Sequence, residues 1–268
     1  MHHVTTHALR ACAAATALLA LATGCSSEES HGEGGRKDAG KAATEAVRAA
    51  VAKVRGTSAR IDGTVETRDG EKTYTVSLSG RFDLAKDKGK VAVDFPKTPI
   101  DHVDEIFDGD TIYARPAKGA DKGPWGSVAR DRAEAHYLLR APLNDPEHYL
   151  RQIAAMRKVE RFGSETLGGR PTTRYRGSID HATLTLGLAD KTRKGVEKIR
   201  DALGTDLPVF ADAWVDREGR LVRLRMTCRL ETLSVTTTVA LSDFGKPVKA
   251  AAPDGSVPVT PKGGFLLG

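Results

Sequence analysis

Residues 74–84 read Y-T-V-S-L-S-G-R-F-D-L. Tyr74, Val76, Leu78, Gly80, Phe82 and Leu84 fall on one side of an extended chain, and Thr75, Ser77, Ser79, Arg81 and Asp83 on the other. A period of two is the mark of a strand with one face buried and one in water. The same pattern spreads in both directions. Ile61, Gly63 and Val65 belong to a preceding strand, joined to this one through the turn Arg68-Asp69-Gly70-Glu71. Val91, Val93 and Phe95 follow after another turn, and Ile106-Phe107, Asp108-Gly109-Asp110 and Thr111-Ile112-Tyr113 form the next hairpin. Later, residues 159–167 and 172–179 flank Gly168-Gly169, a strong hairpin signal. Three more strands cover 208–215, 221–230 and 233–241, the first two meeting at Asp216-Arg217-Glu218-Gly219.

Helical periods interrupt the strands at only a few places. In 41–55, Ala43, Val47, Val51 and Val54 make one apolar stripe, and Gly56 ends it. A short helix is expected over 131–140. Asn144-Asp145-Pro146 supplies a cap and a first-turn proline for a clearer one, with Tyr149, Leu150, Ile153 and Met156 as its apolar positions. Residues 190–203 form a charged helix ending at Gly204. Helices do not alternate with strands, which argues against a parallel sheet, and the chain reads as an α+β protein: one large antiparallel sheet with helices on one face.

The amino-terminal stretch 12–30 reads C-A-A-A-T-A-L-L-A-L-A-T-G-C-S-S-E-E-S. Its apolar part is too short for a span of about 20 residues and suits the h-region of a secretory signal with Arg10 in the positive n-region. Leu21-Ala22-Thr23-Gly24-Cys25 resembles the bacterial lipobox, in which small residues precede a cysteine that becomes acylated. The expected organisation is a signal peptide over 1–24, a lipidated Cys25 with a flexible tether over 25–40, a folded domain over 41–250 and a flexible tail over 251–268. Acyl chains on one cysteine suffice for stable anchoring, since two hydrocarbon chains hold where one does not. A tether of fifteen polar residues reaches about 20 Å. The expected location is therefore the extracytoplasmic face of the cell membrane.

Composition narrows the chemistry. The chain has 268 residues, enough for one large domain, with 40% hydrophobic and only 5% aromatic residues, so the core is aliphatic. The net charge is +6 and no basic run is interleaved with aromatics, so nucleic acid is not an expected partner. Of Cys12, Cys25 and Cys228, only Cys228 remains as a free thiol after processing and acylation. It shares a strand face with Val222, Leu224, Met226 and Leu230, opposite Arg223, Arg225, Thr227 and Arg229, which makes it a small core hydrophobe. Asp101-His102-Val103-Asp104-Glu105 with Asp108 and Asp110 has the residue types of a metal site, but Asp108-Gly109-Asp110 suits a turn and the spacing matches no metal motif. Ser127 lacks a nucleophile elbow. His136, His148 and His181 have no partner at an interpretable spacing, and Trp125 after Gly123-Pro124 is a loop residue or a lid over a cavity mouth. No catalytic residue, metal or cofactor is expected, and the chain is not read as an enzyme.

The order of motifs is similar to that of actinobacterial lipoproteins. It comprises the lipobox, the helix before the first strand, Asp145-Pro146, G-R-P-T-T-R-Y-R-G over 169–177, A-W-V-D-R-E-G-R-L-V-R over 213–223 and S-D-F-G-K-P-V over 242–248. The chain resembles the LolA-like superfamily, especially its LppX/LprG-type branch, across most of residues 41–250. The resemblance implies a curved half-barrel with helices packed in its concave face around a hydrophobic cavity, and a role in binding or carrying a lipid, glycolipid or other apolar ligand. It brings no catalytic motif. Strand alternation names Tyr74, Val76, Leu78, Phe82, Val91, Val93, Val222, Leu224 and Met226 as candidate walls. The expected partners are the membrane, through the lipid anchor, and such a ligand, with the protein a monomer. The alternative is an interaction or sensory lipoprotein of the same fold with a filled core and no cargo.

Overall fold

The computed structural model describes residues 31–95, 100–135 and 138–259, with side chains from residue 35 onward. The signal segment, Cys25, the start of the expected tether, His136 and residues 260–268 lie outside the described residues. The elements in chain order are α1 (His31–Arg55), β1 (Ser58–Asp69), β2 (Lys72–Asp83), β3 (Lys88–Asp94), β4 (His102–Asp108), β5 (Thr111–Lys118), β6 (Asp121–Lys122) and β7 (Gly126–Ala129). There follow α2 (Pro146–Ala154), β8 (Arg157–Leu167), β9 (Arg170–Ile179), α3 (His181–Thr185), α4 (Asp190–Leu203), β10 (Val209–Asp216), β11 (Leu221–Leu230), β12 (Leu233–Ser242) and β13 (Val257–Pro258).

All the strands belong to one open sheet in the order β13-β7-β5-β4-β3-β2-β1-β12-β11-β10-β9-β8, with β6 beside β5. Every pairing is antiparallel except that of β13 with β7. The α+β class with a large antiparallel sheet is therefore the observed one. The expected alternation decides the faces. Ala59, Ile61 and Val65 of β1, Leu78 and Phe82 of β2, Val91 and Val93 of β3, Val103 and Phe107 of β4, and Leu224 and Met226 of β11 enter one buried core. The α1 stripe Ala43, Val47, Val51 and Val54 enters the same core, and α1 packs against β8, α2, β11, β1 and β10. Burial of this apolar surface is the main stabilising term.

Glycine lets β2 and β3 approach closely. A Cβ at Gly80 would collide with the Lys90 carbonyl oxygen and Val91 Cα, and one at Gly89 with the Phe82 ring. At the other end of the scale, Gly204 closes α4 in the left-handed region (φ 65°), as its place after the last periodic residue indicates.

Three expectations differ from the structure. The first helix begins at His31, not Lys41. Residues 35–39 are exposed, so this start is an overhang propagated from the packed turns, where each added residue gains a hydrogen bond without new nucleation. The helix expected over 131–140 is not found among the described residues of that range. Only Arg130–Arg132 make a 3-10 turn, and Ala135 is bridged to the chain before α4, donating to Gly187 O and accepting from Ala189 N, a pairing incompatible with helix. The tail expected over 251–268 is placed as far as residue 259. Val257 N donates to Trp125 O and Val259 N to Ser127 O, so β13 covers β7.

Replacing Gly80 by valine is expected to cost about 3 kcal/mol, the upper part of the range for overpacking. Urea unfolding should show a lower midpoint with an unchanged slope.

Candidate functional site

The inner face of the sheet is the expected ligand surface. Six of the nine candidate walls, Leu78, Phe82, Val91, Val93, Leu224 and Met226, are no more than 3% exposed and lie in the common core. Val76 is half-buried and packs against that core. Val222 is half-buried, because a register shift between Trp214 and Val215 sends Leu221 inward in its place. It lines an open depression with Leu167, Arg170 and Ala240. Tyr74 is 59% exposed and pairs with Thr67 near the tip of the β1–β2 hairpin. Cys228 is buried beside these residues, and burial pushes its thiol up to about 11. That is the reverse of what a reactive thiolate needs.

The inner face is not purely apolar. Glu105 falls between Val103 and Phe107 on β4 and is 2% exposed. Its Oε1 accepts from Asn144 Nδ2 at 3.0 Å, and Asn144 Oδ1 accepts from Arg140 Nε at 3.0 Å. Burial pushes the Glu105 carboxyl up to about 8, against the opposing pull of Arg140 and Asn144. Close by, burial pushes Tyr149 up to about 12 and His148 down to about 4.

This polar cluster is carried by the segment before α2. Asp145 caps α2 by accepting from Glu147 N at 2.9 Å, as the Asp-Pro signal indicates, and it also receives both prongs of Arg130 at 2.7 Å. Arg130 reaches Asp87 as well, and Thr237 Oγ1 donates to Leu139 O at 3.0 Å. Leu139, Leu143 and Asn144 have φ of 61°, 44° and 61°. Non-glycine residues hold such angles only where surrounding contacts over-determine them. The segment is thus a strained strap, tied by polar bonds to β4, β12 and the β2–β3 turn.

The outer face carries a second polar centre. Asp212 on β10 accepts from Arg174 Nε at 2.9 Å, Arg176 Nε at 3.0 Å and Arg225 Nη2 at 2.9 Å. Its burial alone would raise the carboxyl; the three guanidinium bonds outweigh this and hold it below the usual range. Further along, a groove of about 590 Å³ runs between the outer face of β2–β5 and residues 247–249. Trp125 lines it, with the Arg115 guanidinium 4.6 Å from its ring centroid. His102 sits between Asp94 (2.8 Å) and Asp104 (3.1 Å), and these bonds, led by the one to Asp94, raise its pKa. Among the described residues no three His, Cys, Asp or Glu side chains gather as a metal site.

The Glu105 and Asp212 centres were not among the expected site residues. The signal for Glu105 is present, since V-D-E-I-F over 103–107 puts it on the apolar parity. For Asp212 it is the single acid in the otherwise apolar run F-A-D-A-W-V over 210–215.

Comparison with known proteins follows from this geometry. No family model matches the chain. An uncharacterized 31.2 kDa protein from the rplA-rplJ intergenic region of Streptomyces griseus is 26% identical over 136 residues, which is 50% of this chain and 42% of that relative. Among solved structures, the lipoprotein LppX of Mycobacterium tuberculosis is similar at a TM-score of 0.49 and 15% identity, over 79% of this chain and 99% of that one. LprF of Mycobacterium bovis is similar at a TM-score of 0.47 and 16% identity, over 80% and 97%.

Glu105 and His148 give opposite pH slopes. A carboxyl raised on folding binds more protons in the native state, so stability falls as pH rises from its unfolded value through about 8. A depressed histidine gives stability that is present above its ordinary value and lost as pH falls through about 4. Glu105→Gln is therefore expected to leave the melting temperature near pH 5 almost unchanged. Above pH 8 it should raise it by about 4 °C relative to the parent, as followed by thermal denaturation.

Proposed function

We propose that this chain is an envelope lipoprotein, acylated at Cys25 and held on the extracytoplasmic face of the membrane, that takes a lipid or other apolar ligand against the inner face of its sheet. The observation that carries the reading is the chemistry of that face. Aliphatic side chains from β1 to β4 and from β10 to β12 form one surface, and Glu105, Asn144 and Arg140 bring a few polar groups to it. Apolar lining with a small number of placed polar groups is what an amphiphile requires. The strap over 139–145 is the element that must yield to admit a chain, and its left-handed residues make the closed arrangement a strained one. Leu78, Phe82, Val91, Val93, Leu224 and Met226 are the proposed contacts, with Val76 at their margin; Tyr74 and Val222 lie outside that surface.

A second reading has its own support. The six deepest wall residues share one buried cluster with the α1 stripe and with Leu139 and Leu143 of the strap, as in a protein whose core is filled and whose outer face meets a partner. The two readings separate in one experiment. Protein purified from its native envelope should release a reproducible lipid on organic extraction, identified by mass spectrometry. Phe82→Trp combined with Val93→Phe should reduce the recovered amount at least tenfold. Extracts free of lipid from a folded protein would favour the filled core. The anchor is checked separately: Cys25→Ser should remove the acyl mass and move most of the protein from the membrane to the soluble fraction.

A further inference from the structure

We infer that the outer face of β8–β11 is a docking surface for an anionic lipid bilayer, and that it fixes which side of the domain lies on the membrane. This rests on the lipoprotein reading for its setting, although the surface itself is defined by residues on the sheet.

Five arginines crowd this face: Arg174 and Arg176 of β9, and Arg223, Arg225 and Arg229 of β11. Asp212 is the buried hub for three of them, with a side chain only 6% exposed. One carboxylate cannot neutralise three guanidinium groups. The other acids on the face include Glu165, which accepts from Trp214 Nε1 at 2.5 Å and lies 4.0 Å from Arg174, Glu160, opposite Arg176 in the β8–β9 register, and Asp216 at the end of β10, whose charge is taken up by Arg220. A positive surplus remains. Asp212 also holds the planar forks in fixed directions, so less rotamer freedom is lost when they meet phosphate.

Aromatic rings are interleaved with this charge. Arg176 stands 3.8 Å and Arg174 4.7 Å from the Phe162 centroid, and Arg174, Arg223 and Arg225 lie within 6 Å of the Trp214 ring. Phe162 is 50% exposed and Phe210 58%. Phe210 and Arg176 border the same open groove of about 540 Å³, which continues to Arg225 and Arg229. A soluble anion would need the guanidinium forks alone and gains nothing from two exposed phenylalanines. A headgroup layer takes both, because rings enter the acyl boundary while guanidinium groups stay at phosphate level. The chain's course agrees. Gly40 of α1 lies against Val159 of β8, and α1 begins at His31, six residues after Cys25. The described amino-terminal end of the chain thus enters the domain beside β8.

The test uses the full chain carrying Cys25→Ser, so acylation plays no part and failure of the anchor is separable from failure of the surface. Sedimentation is measured with vesicles of phosphatidylcholine alone and with about 30 mol % phosphatidylglycerol. Affinity for the anionic vesicles should be about tenfold higher and should fall steeply with salt. Phe162→Ser with Phe210→Ser and Arg229→Glu should abolish that preference. Lys90→Glu with Lys249→Glu, on the far side of the outer face, should change affinity less than twofold. Thermal unfolding within a few degrees of the parent confirms that each variant folds. Equal binding to both vesicle types, or an equal loss in the lysine variant, overturns the proposal. So does displacement by millimolar inorganic phosphate, which marks an anion pocket, or tighter binding to polyglutamate than to vesicles, which marks an acidic protein partner.

Discussion

The pairing of β1 with β12 holds the molecule together. Ten residues of β1, Arg60 to Asp69, lie opposite Ser242 to Leu233. On the far side of β1 the strands run in chain order through β5 and β7, with β13 at the edge, and on the far side of β12 they run back to β8. Without this seam there would be two meanders, each with half an apolar face and an open edge at its centre. With it, Ile61 and Val65 meet Leu241, Thr237 and Val239 on one surface, and α1 has a sheet broad enough to bury its stripe. The strap before α2 depends on the same seam, since Thr237 of β12 and Glu105 of β4 hold it from opposite halves.

Charge is handled differently on the two faces. Inside, a single carboxyl is kept close to neutral by burial and bonded through an amide, because an ionised group there would be costly. Outside, Asp212 stays ionised because three cations surround it. Both arrangements fix the direction of neighbouring side chains. The inner one sets the strap against the sheet, and the outer one sets a fan of guanidinium groups over Trp214 and Phe162.

Much of the fold was legible because its signals are local. The hairpins at Gly70, Gly109, Gly168-Gly169 and Gly219 fall where turn residues interrupt alternation, and α4 ends at Gly204, as its composition marks. Val222 escaped because β11 carries it as an extra residue opposite the Trp214–Val215 step of β10, and no property of R-L-V-R announces this. The stretch from Asp131 has a helical composition, yet Ala135 pairs with the chain before α4, and that partner lies some fifty residues away in sequence. The candidate walls followed from parity where strands are regular. Their depth depended on where helices and strap lie above them, which parity does not encode.

The β1–β12 seam also has a temporal side. Its two strands are separated by nearly the whole folded chain, so β1 emerges early and waits for the last long strand to be made. Contacts between such distant segments form slowly, because loop closure precedes their gain. Until β12 arrives, the twelve-residue β1 presents unpaired N–H and C=O groups beside an uncovered aliphatic surface, the arrangement most prone to joining another chain. A protein built this way has its most vulnerable moment at the end of synthesis, when a chaperone that shields β1 would matter more than one that assists any hairpin.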